Sequence, residues 1–349
     1  MKIAVDAMGG DYAPSVVIEG ITAALYDFPD CELVVVGHLG KISYYLEKYG
    51  IEDHPRIKTV HAEEVVEMSE PAINALRSKR NSSITVCAKL LRDGAVDAIV
   101  SAGHTGAAVV STKVICKTLP GIERPAIAAL LPAQHGKYIL IDSGANSDCD
   151  PKNLAQFALM GEAYAKFIFG LEKPRIGLLN VGGEDYKGNE LAKATFKILS
   201  DMAINFVGNV EGDTIFENAA DVVVCDGFTG NILLKGSEGL AKATMHWMKD
   251  IFSKNPIRIT GAMLARNAFR ELKEIGDAEE LGGAPLLGIN GICVIGHGSS
   301  TPKAVRNAIR VAIDFLKFNI NEKITRRIIE TNMIIQEKDK SDNSDSALG

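Results

Sequence analysis

Short apolar runs alternate with amphipathic stretches along nearly the whole chain of 349 residues. The runs are rich in Val, Ile and Leu and lack polar alternation, which is typical of strands covered on both faces. They predict strands at residues 3–5, 33–36, 57–60, 98–100, 126–131, 138–141, 176–179, 205–207, 222–224 and 292–295. Helical periodicity fills most intervals, for example at residues 15–26, 82–93, 151–169 and 189–202. The alternation predicts an α/β fold whose mostly parallel sheet has helices on both faces.

The domain organisation follows from the same pattern. No linker interrupts it, so we expect a single catalytic α/β unit over residues 1–336, an arrangement that two lobes around a cleft would also satisfy. Residues 337–349 are polar and charged, which favours a disordered tail. The net charge of -6 provides no positive field for nucleic acid.

The cysteines and the apolar runs bear on location. Six scattered cysteines without a CxxC pair are typical of reduced thiols in a cytoplasmic protein. The chain enters a strand at once, without a signal-peptide pattern, and no apolar run approaches the ~20 residues of a membrane span. We therefore expect a cytoplasmic protein.

The most informative stretch follows the first predicted strand, where the chain turns through Asp6, Gly9, Gly10 and Asp11, with Pro14 placed to open a helix. Such a turn directs backbone N–H groups at an anion, usually a phosphate. Similar polar turns follow other strands: SAGHTG (101–106), DSGAN (142–146), NVGGEDYKGNE (180–190), CDGFTGN (225–231) and GHGSS (296–300). Ligands of parallel α/β folds lie beyond the carboxyl ends of strands. The repetition predicts an enzyme that handles phosphate-like groups.

The turns supply candidate side chains and backbone groups. Lys187 lies in a Gly-flanked loop with Asn180, Glu184 and Asn189, and it would neutralise a phosphate or polarise a carbonyl; the alternative is a solvated lysine. Asn231 would donate to an oxyanion, or would cap a helix. We take Lys187, Asn231 and Asn180 as candidate catalytic residues. The candidate phosphate or substrate contacts are Asp6, Gly9, Gly10, Asp11, Ser101, Gly103, Thr105, Gly106, Asp142, Asn146, Glu184, Asp226, Thr229, Gly230 and His297.

Several of these have structural alternatives. Asp142 and Asn146 would either position a substrate or cap the helix that starts near Pro151. His104 and His297 would either transfer protons or serve the structure. The chain lacks GxGxxG, GKS/GKT, GxSxG and HExxH, so we expect no dinucleotide, no metal, no other cofactor and no covalent acyl-enzyme.

The region 247–275 departs from the pattern by mixing apolar and basic residues. Residues 249–273 carry a net charge of +4 within an acidic chain, which indicates an acidic partner or surface. The alternative is an ordinary dimer interface. We expect this helical insertion, at about residues 240–275, to contact an acidic partner or surface through Lys249, Lys254, Arg258, Met263, Leu264, Arg266 and Arg270.

Together, the motifs DAMGGDYAP, SAGHTGA, DSGAN, QFALMGEAYA, LLNVGGEDYKGNE, GNVEG, VVVCDGFTGN and GGAPLLGINGICVIGHGSS resemble one known family. It is the bacterial acyl-phosphate synthase family of phospholipid synthesis, also called the phosphate acyltransferase or PlsX family. The resemblance runs in order from residue 1 to about 316. One departure is His104, where the family commonly has Asn.

The resemblance implies a reaction in which acyl-[acyl carrier protein] and inorganic phosphate give acyl phosphate and free carrier protein (ACP). It implies that the product feeds a membrane glycerol-3-phosphate acyltransferase in phosphatidic acid synthesis. It also implies a fold similar to isocitrate and isopropylmalate dehydrogenases and to phosphotransacetylases, and a homodimer that associates peripherally with the membrane surface. The expected partners are therefore acyl-ACP, phosphate, a second copy of the chain and the membrane.

Two other classes remain open at this point. A metal- and NADP-dependent decarboxylating dehydrogenase would share the fold type, but we find neither an acidic metal cluster nor an adenine-ribose motif. A non-catalytic module for acyl carriers or nucleotides would bind a ligand without turnover. Formation of acyl phosphate without added metal would distinguish the three.

Overall fold

A computed structural model describes residues 1–275 and 282–331, and the predicted tail at 337–349 lies outside the described residues. The strands form one eleven-stranded sheet. They are β1 (Lys2–Asp6), β2 (Glu32–Gly37), β3 (Ile57–His61), β4 (Ala98–Ser101), β5 (Ala126–Pro132), β6 (Lys137–Ile141), β7 (Ile176–Asn180), β8 (Phe206–Glu211), β9 (Val222–Val224), β10 (Ala284–Leu287) and β11 (Cys293–Ile295).

Helices occupy the connections between the strands. They are α1 (Ser15–Asp27), α2 (Leu39–Lys48), α3 (Ala72–Ser78), α4 (Ser83–Arg92), α5 (Thr105–Cys116), α6 (Pro151–Phe169), α7 (Glu190–Asp201), α8 (Gly227–Phe252), α9 (Pro256–Leu264), α10 (Arg266–Ile275), α11 (Pro302–Lys317) and α12 (320–331), with a 3₁₀ turn at Thr214–Glu217. The four helices predicted by number are confirmed to within one residue at each end.

The strand order is β3-β2-β1-β4-β11-β10-β5-β6-β9-β7-β8. Neighbours pair in parallel except across β11–β10, β10–β5 and β5–β6. These antiparallel pairs reverse the strand direction between β11 and β6. The mostly parallel sheet is confirmed, but its two halves run in opposite directions.

The predicted strands all occur in this sheet, with one shift and one omission. The run predicted at 205–207 pairs as β8, which continues to Glu211. Strand β10 was not predicted, because its apolar run is short, contains Pro285 and is bounded by glycines.

The sheet is covered on both faces, as the unbroken apolar runs predict. Alternate residues of β1 enter different cores: Ile3 and Val5 belong to one buried cluster and Ala4 to another. Helices α1 and α11 pack closely, since a Cβ on Gly20 would lie 2.7 Å from the Pro302 carbonyl oxygen. This tight packing fixes the strand ends from which the polar turns project.

Helices α8 to α10 depart from this layered packing. In the 26 residues of α8 only Gly227 and Gly230 are buried, and α9 buries none of its residues. The large apolar side chains of Ile257, Met263 and Leu264 are 84%, 70% and 85% exposed. None of the described helices is long and apolar enough to span a bilayer.

Candidate active site

The reversal of strand direction divides the polar turns into two groups. The turns after β1, β4 and β11 lie at one end of the strands, called here the first end. The turns after β6, β7 and β9 lie at the opposite end, the second end, where β5 begins and β10 finishes. Ligand placement beyond carboxyl ends therefore allows two regions rather than one.

At the first end, three turns pack tightly around glycine. A Cβ on Gly9 would lie 2.7 Å from the Gly103 nitrogen. Gly10 has a φ of +112°, and a Cβ there would lie 3.1 Å from the Gly298 carbonyl oxygen and 3.3 Å from that of Ala102. These glycines are required for close backbone approach. The nearby carbonyl oxygens disfavour an anion at Gly10.

The first end is also acidic. The Asp6 carboxylate is buried and accepts hydrogen bonds from the Ser101 hydroxyl at 2.7 Å and the Met8 backbone N–H at 3.2 Å. Burial raises the pKa of Asp6 despite these bonds. The exposed Asp11 donates its backbone N–H to the Gly298 carbonyl at 2.8 Å. The turns after β1, β4 and β11 contain no lysine or arginine.

The two histidines of this end make local contacts. His104 caps α5 by accepting the Ala107 N–H at its Nδ1, which places Thr105 and Gly106 in the first helical turn. His297 is exposed and its Nδ1 lies 2.9 Å from the Ser299 hydroxyl. His104 therefore has the structural role of a helix cap, which was the alternative to proton transfer.

At the second end, Asp142 organises the turn after β6. Its carboxylate is fully buried and accepts the N–H groups of residues 127, 144, 145 and 146 at 2.8–3.1 Å, together with the Asn146 side-chain amide at 2.9 Å. Burial raises its pKa, and the hydrogen bonds from the turn act in the opposite direction. Asp150, with Asn153, caps α6, so the capping alternative for Asp142 and Asn146 is wrong.

Helix α8 begins against this turn. Asp226 caps the helix through the N–H and hydroxyl of Thr229, at 2.9 and 2.8 Å. A Cβ on Gly227 would lie 2.7 Å from the Asp142 Oδ2, and one on Gly230 would overlap the Asp142 carbonyl oxygen. Because glycine has no side chain at these two positions, the helix can start directly on the 142–146 turn.

Asn231 faces the same turn. Its side-chain atoms lie 3.4–3.6 Å from the point where a Cβ on Gly144 would stand. Since Asp226 is the cap of α8, the helix-cap alternative for Asn231 is wrong. Its half-buried amide is available at the edge of the turn, where a substrate carbonyl could approach.

Lys187 lies in the loop after β7. Asn180 holds this loop closed by donating to the Lys187 carbonyl at 3.1 Å and accepting the Val181 N–H at 2.8 Å. The loop is tied to β8, because Gly183 N–H donates to Glu211 and the Glu184 carbonyl accepts from Asn209. Lys187 is exposed, its Nζ is 5.8 Å from the Tyr186 ring centre, and no carboxylate of the described residues is within ion-pair distance.

The second end also holds two cations that strand-end reasoning missed. Lys113 lies in the last turn of α5 and Arg124 lies two residues before β5. Arg124 precedes a strand, so a search of residues after strands passes over it. Because β5 and β6 are antiparallel, the start of β5 lies beside the end of β6, and Arg124 donates to the Asp148 carbonyl at 2.6 Å.

The described cysteines are poor nucleophiles. Burial raises the pKa of Cys225 well above that of an ordinary thiol and that of Cys149 to about 11. Among residues 1–275 and 282–331 no group of three or more His, Cys, Asp or Glu side chains is arranged to hold a metal ion.

A family model described as "Fatty acid synthesis protein" matches residues 1–323. A phosphate acyltransferase of a Nitratiruptor species is 47% identical over 332 residues, which cover 95% of this chain and 98% of the relative. A phosphate acyltransferase of Thermodesulfovibrio yellowstonii is 44% identical over 348 residues, covering 100% and 99%.

The chain belongs to the phosphate acyltransferase family. It is therefore an enzyme of the acyltransferase class. The match extends over every polar turn described above, at both ends of the sheet.

Solved structures support the fold of this family member. A phosphotransacetylase from Streptococcus pyogenes superposes with a TM-score of 0.58 at 20% identity, covering 91% of this chain and 94% of that one. The EutD phosphotransacetylase from Staphylococcus aureus gives 0.55 at 16% identity, covering 90% and 93%. The phosphotransacetylase-like fold is confirmed. At 16–20% identity the structural similarity supports the fold and not a shared activity.

Proposed function

We propose that the protein transfers an acyl group from acyl-ACP to inorganic phosphate. The observation that carries the proposal is the near full-length match, at up to 47% identity, to relatives named phosphate acyltransferase. In the proposed step a hydrogen phosphate oxygen attacks the thioester carbonyl carbon and forms a C–O bond. The C–S bond then breaks, and the phosphate's proton ends on the released carrier thiol. The products are acyl phosphate and free ACP.

The chemistry suits the second end. Phosphate is itself the nucleophile, so no activated cysteine or serine is needed, and catalysis reduces to positioning and charge stabilisation. Asn231 would donate to the oxygen that becomes negative in the tetrahedral intermediate. Lys187, with which no carboxylate of the described residues pairs, would add positive charge, while Asn180 and Asp142 would hold the two loops in place.

The test is direct. Purified protein, acyl-ACP and phosphate are incubated without added metal, and acyl phosphate is trapped with hydroxylamine as the hydroxamate. We expect hydroxamate that depends on both substrates and an equal amount of released carrier thiol. Thiol release without phosphate dependence would indicate a thioesterase and contradict the proposal.

We further propose that α8 to α10 provide the docking surface. Lys249, Lys254, Arg258, Arg266 and Arg270 attract the acidic carrier protein, and the exposed Met263 and Leu264 contact a membrane surface, from which acyl phosphate reaches a membrane glycerol-3-phosphate acyltransferase. The protein would then act as a cytoplasmic, peripherally bound homodimer.

The two contacts separate by mutation. Charge reversal at Arg266 and Arg270 should raise the KM for acyl-ACP and weaken its salt dependence. Serine at Met263 and Leu264 should release the protein from anionic vesicles and leave activity in solution unchanged. Dissociation of a dimer by the serine variant would instead assign this surface to the subunit interface.

A further inference from the structure

A dianionic substrate requires positive charge beside it, and the second end supplies this charge at positions outside its polar turns. Lys113 lies in the last turn of α5 and Arg124 lies near the end of the 117–125 connection that leads to β5, and both are half-buried. Neither has a carboxylate within 4 Å among the described residues. Two neighbouring cations without a counter-ion repel each other, and an anion bound between them would relieve this repulsion.

The position of Arg124 is fixed by the site itself. Its Nη1 donates to the Asp148 carbonyl at 2.6 Å, and the next residue, Pro125, accepts the Asn146 side-chain amide at 2.7 Å. The 142–148 turn therefore holds the start of β5 on both sides. A guanidinium has five N–H donors, and the described contacts of Arg124 occupy one nitrogen. The remaining donors are available to a ligand.

Three acidic groups near this connection, those of Glu123, Asp142 and Asp150, have partners of their own. Glu123 forms an ion pair with Lys152 at 2.5 Å and accepts from Asn153 at 3.2 Å. The Asp142 carboxylate is saturated by the 142–146 turn, and Asp150 caps α6. Burial and then the Arg124 charge lower the pKa of Lys113, as expected for a cation that shares its surroundings with a second one.

We propose that Lys113 and Arg124 bind the phosphate substrate beside the 142–148 turn, at the end of the sheet where Asn231 faces Gly144. This inference rests on the proposed function. The planar Arg124 fork suits two phosphate oxygens, and Lys113 adds a point charge. Residues 9 and 10 at the first end are then packing glycines rather than phosphate ligands.

Binding of radiolabelled inorganic phosphate, measured by equilibrium dialysis, tests the site without any acyl transfer. We expect saturable binding by the unaltered protein and affinity losses of about 10- to 100-fold in K113Q and R124Q, the scale of a lost charged hydrogen bond. R124K should lose less than R124Q, since it keeps the charge. The KM for phosphate in the hydroxamate assay should rise in parallel, with the KM for acyl-ACP within twofold.

The matched control is K152Q, which removes the same charge at the same end from a lysine already paired with Glu123. It should bind phosphate as the unaltered protein does. If R124Q does not fold, K113Q carries the test alone. Absence of saturable binding by the unaltered protein, or equal affinity in K113Q and K152Q, overturns the site. Phosphate binding that K113Q weakens, without any acyl phosphate formation, would overturn the proposed function and retain the site.

Discussion

The two ends of the sheet carry similar motifs and different physical environments. At the first end, the glycine-rich turns interlock, with Gly10 against the carbonyl oxygens of Gly298 and Ala102, and two aspartates lie among them. At the second end, one buried aspartate anchors the 142–146 turn, Arg124 contacts the Asp148 carbonyl beside it, and Lys113 and Lys187 lie at the same end of the sheet. None of these three cations has a carboxylate partner among the described residues. A strand–glycine–helix turn is thus insufficient to indicate an anion site. Whether such a turn binds an anion depends on the charge and the free hydrogen-bond donors around it.

The largest effect is expected at Asn231. Replacement by alanine removes the donor to the developing oxyanion, and kcat should fall by about 10²- to 10³-fold with phosphate binding unchanged. Single-turnover assays would check this. Ile232→Ala, at the adjacent exposed position, is the control. A kcat within threefold of the unaltered value would remove Asn231 from the chemistry.

Lys187→Ala should lower kcat by about 10²-fold, because it removes the positive charge that we propose for the developing oxyanion. Among the described residues no carboxylate neutralises this charge. Lys193→Ala is the matched control, since Lys193 lies on α7 in an exposed pair with Glu190. The same hydroxamate assay measures both variants. Near-normal turnover by a folded Lys187→Ala protein would show that Lys187 is a solvated surface lysine without a role in the reaction.

At the first end, substitution should affect stability rather than phosphate. Gly10→Ala places a Cβ 3.1 Å from a carbonyl oxygen at a φ of +112°, and urea unfolding should show a loss of about 1–3 kcal/mol. Gly50→Ala, with a φ of +66° and nothing within 4 Å, isolates the backbone strain. The KM for phosphate should stay within twofold in both. A raised KM in Gly10→Ala with unchanged stability would return the phosphate site to the first end.

The smallest effect concerns the buried Asp6, whose pKa is raised above the ordinary value of 3.8 by burial. A carboxyl with a raised folded-state pKa destabilises the fold increasingly as pH rises from about 3.8 through the folded-state value. Asp6→Asn removes this cost, so its Tm should exceed that of the unaltered protein by about 2 °C at pH 8 and the difference should shrink towards pH 4. A constant difference across this range would contradict the assignment.

Much of the fold could be predicted from the sequence, because buried strands leave unbroken apolar runs and α6 carries Asp150 and Pro151 at its start. The direction of the strands could not be predicted from the sequence. The reversal rests on three antiparallel pairs, β11–β10, β10–β5 and β5–β6. The β10–β5 pair joins residues more than a hundred positions apart, and no local pattern encodes it. The consequence reaches the site, since it decides which turns lie together.

The candidate site was predicted unevenly for the same reason. Residues after strands, such as Asp142 and Asn231, are visible to a pattern search, and the structure brings these two loops together. Arg124 precedes a strand and Lys113 lies in the last turn of a helix. Only tertiary structure places Arg124 against the 142–148 turn and both cations at the second end. Whether a strand-end carboxylate is free or saturated, as for Asp142, is likewise a property of its backbone contacts.

The central claim, that phosphate binds at the second end, is tested most directly by locating a phosphate analogue. Arsenate has the charge and shape of phosphate, and arsenic scatters X-rays anomalously. Crystals soaked in arsenate should show one anomalous peak within hydrogen-bond distance of Arg124 and Lys113, beside the 142–148 turn. A peak at residues 9–10 and 298, with none at the second end, would contradict the account.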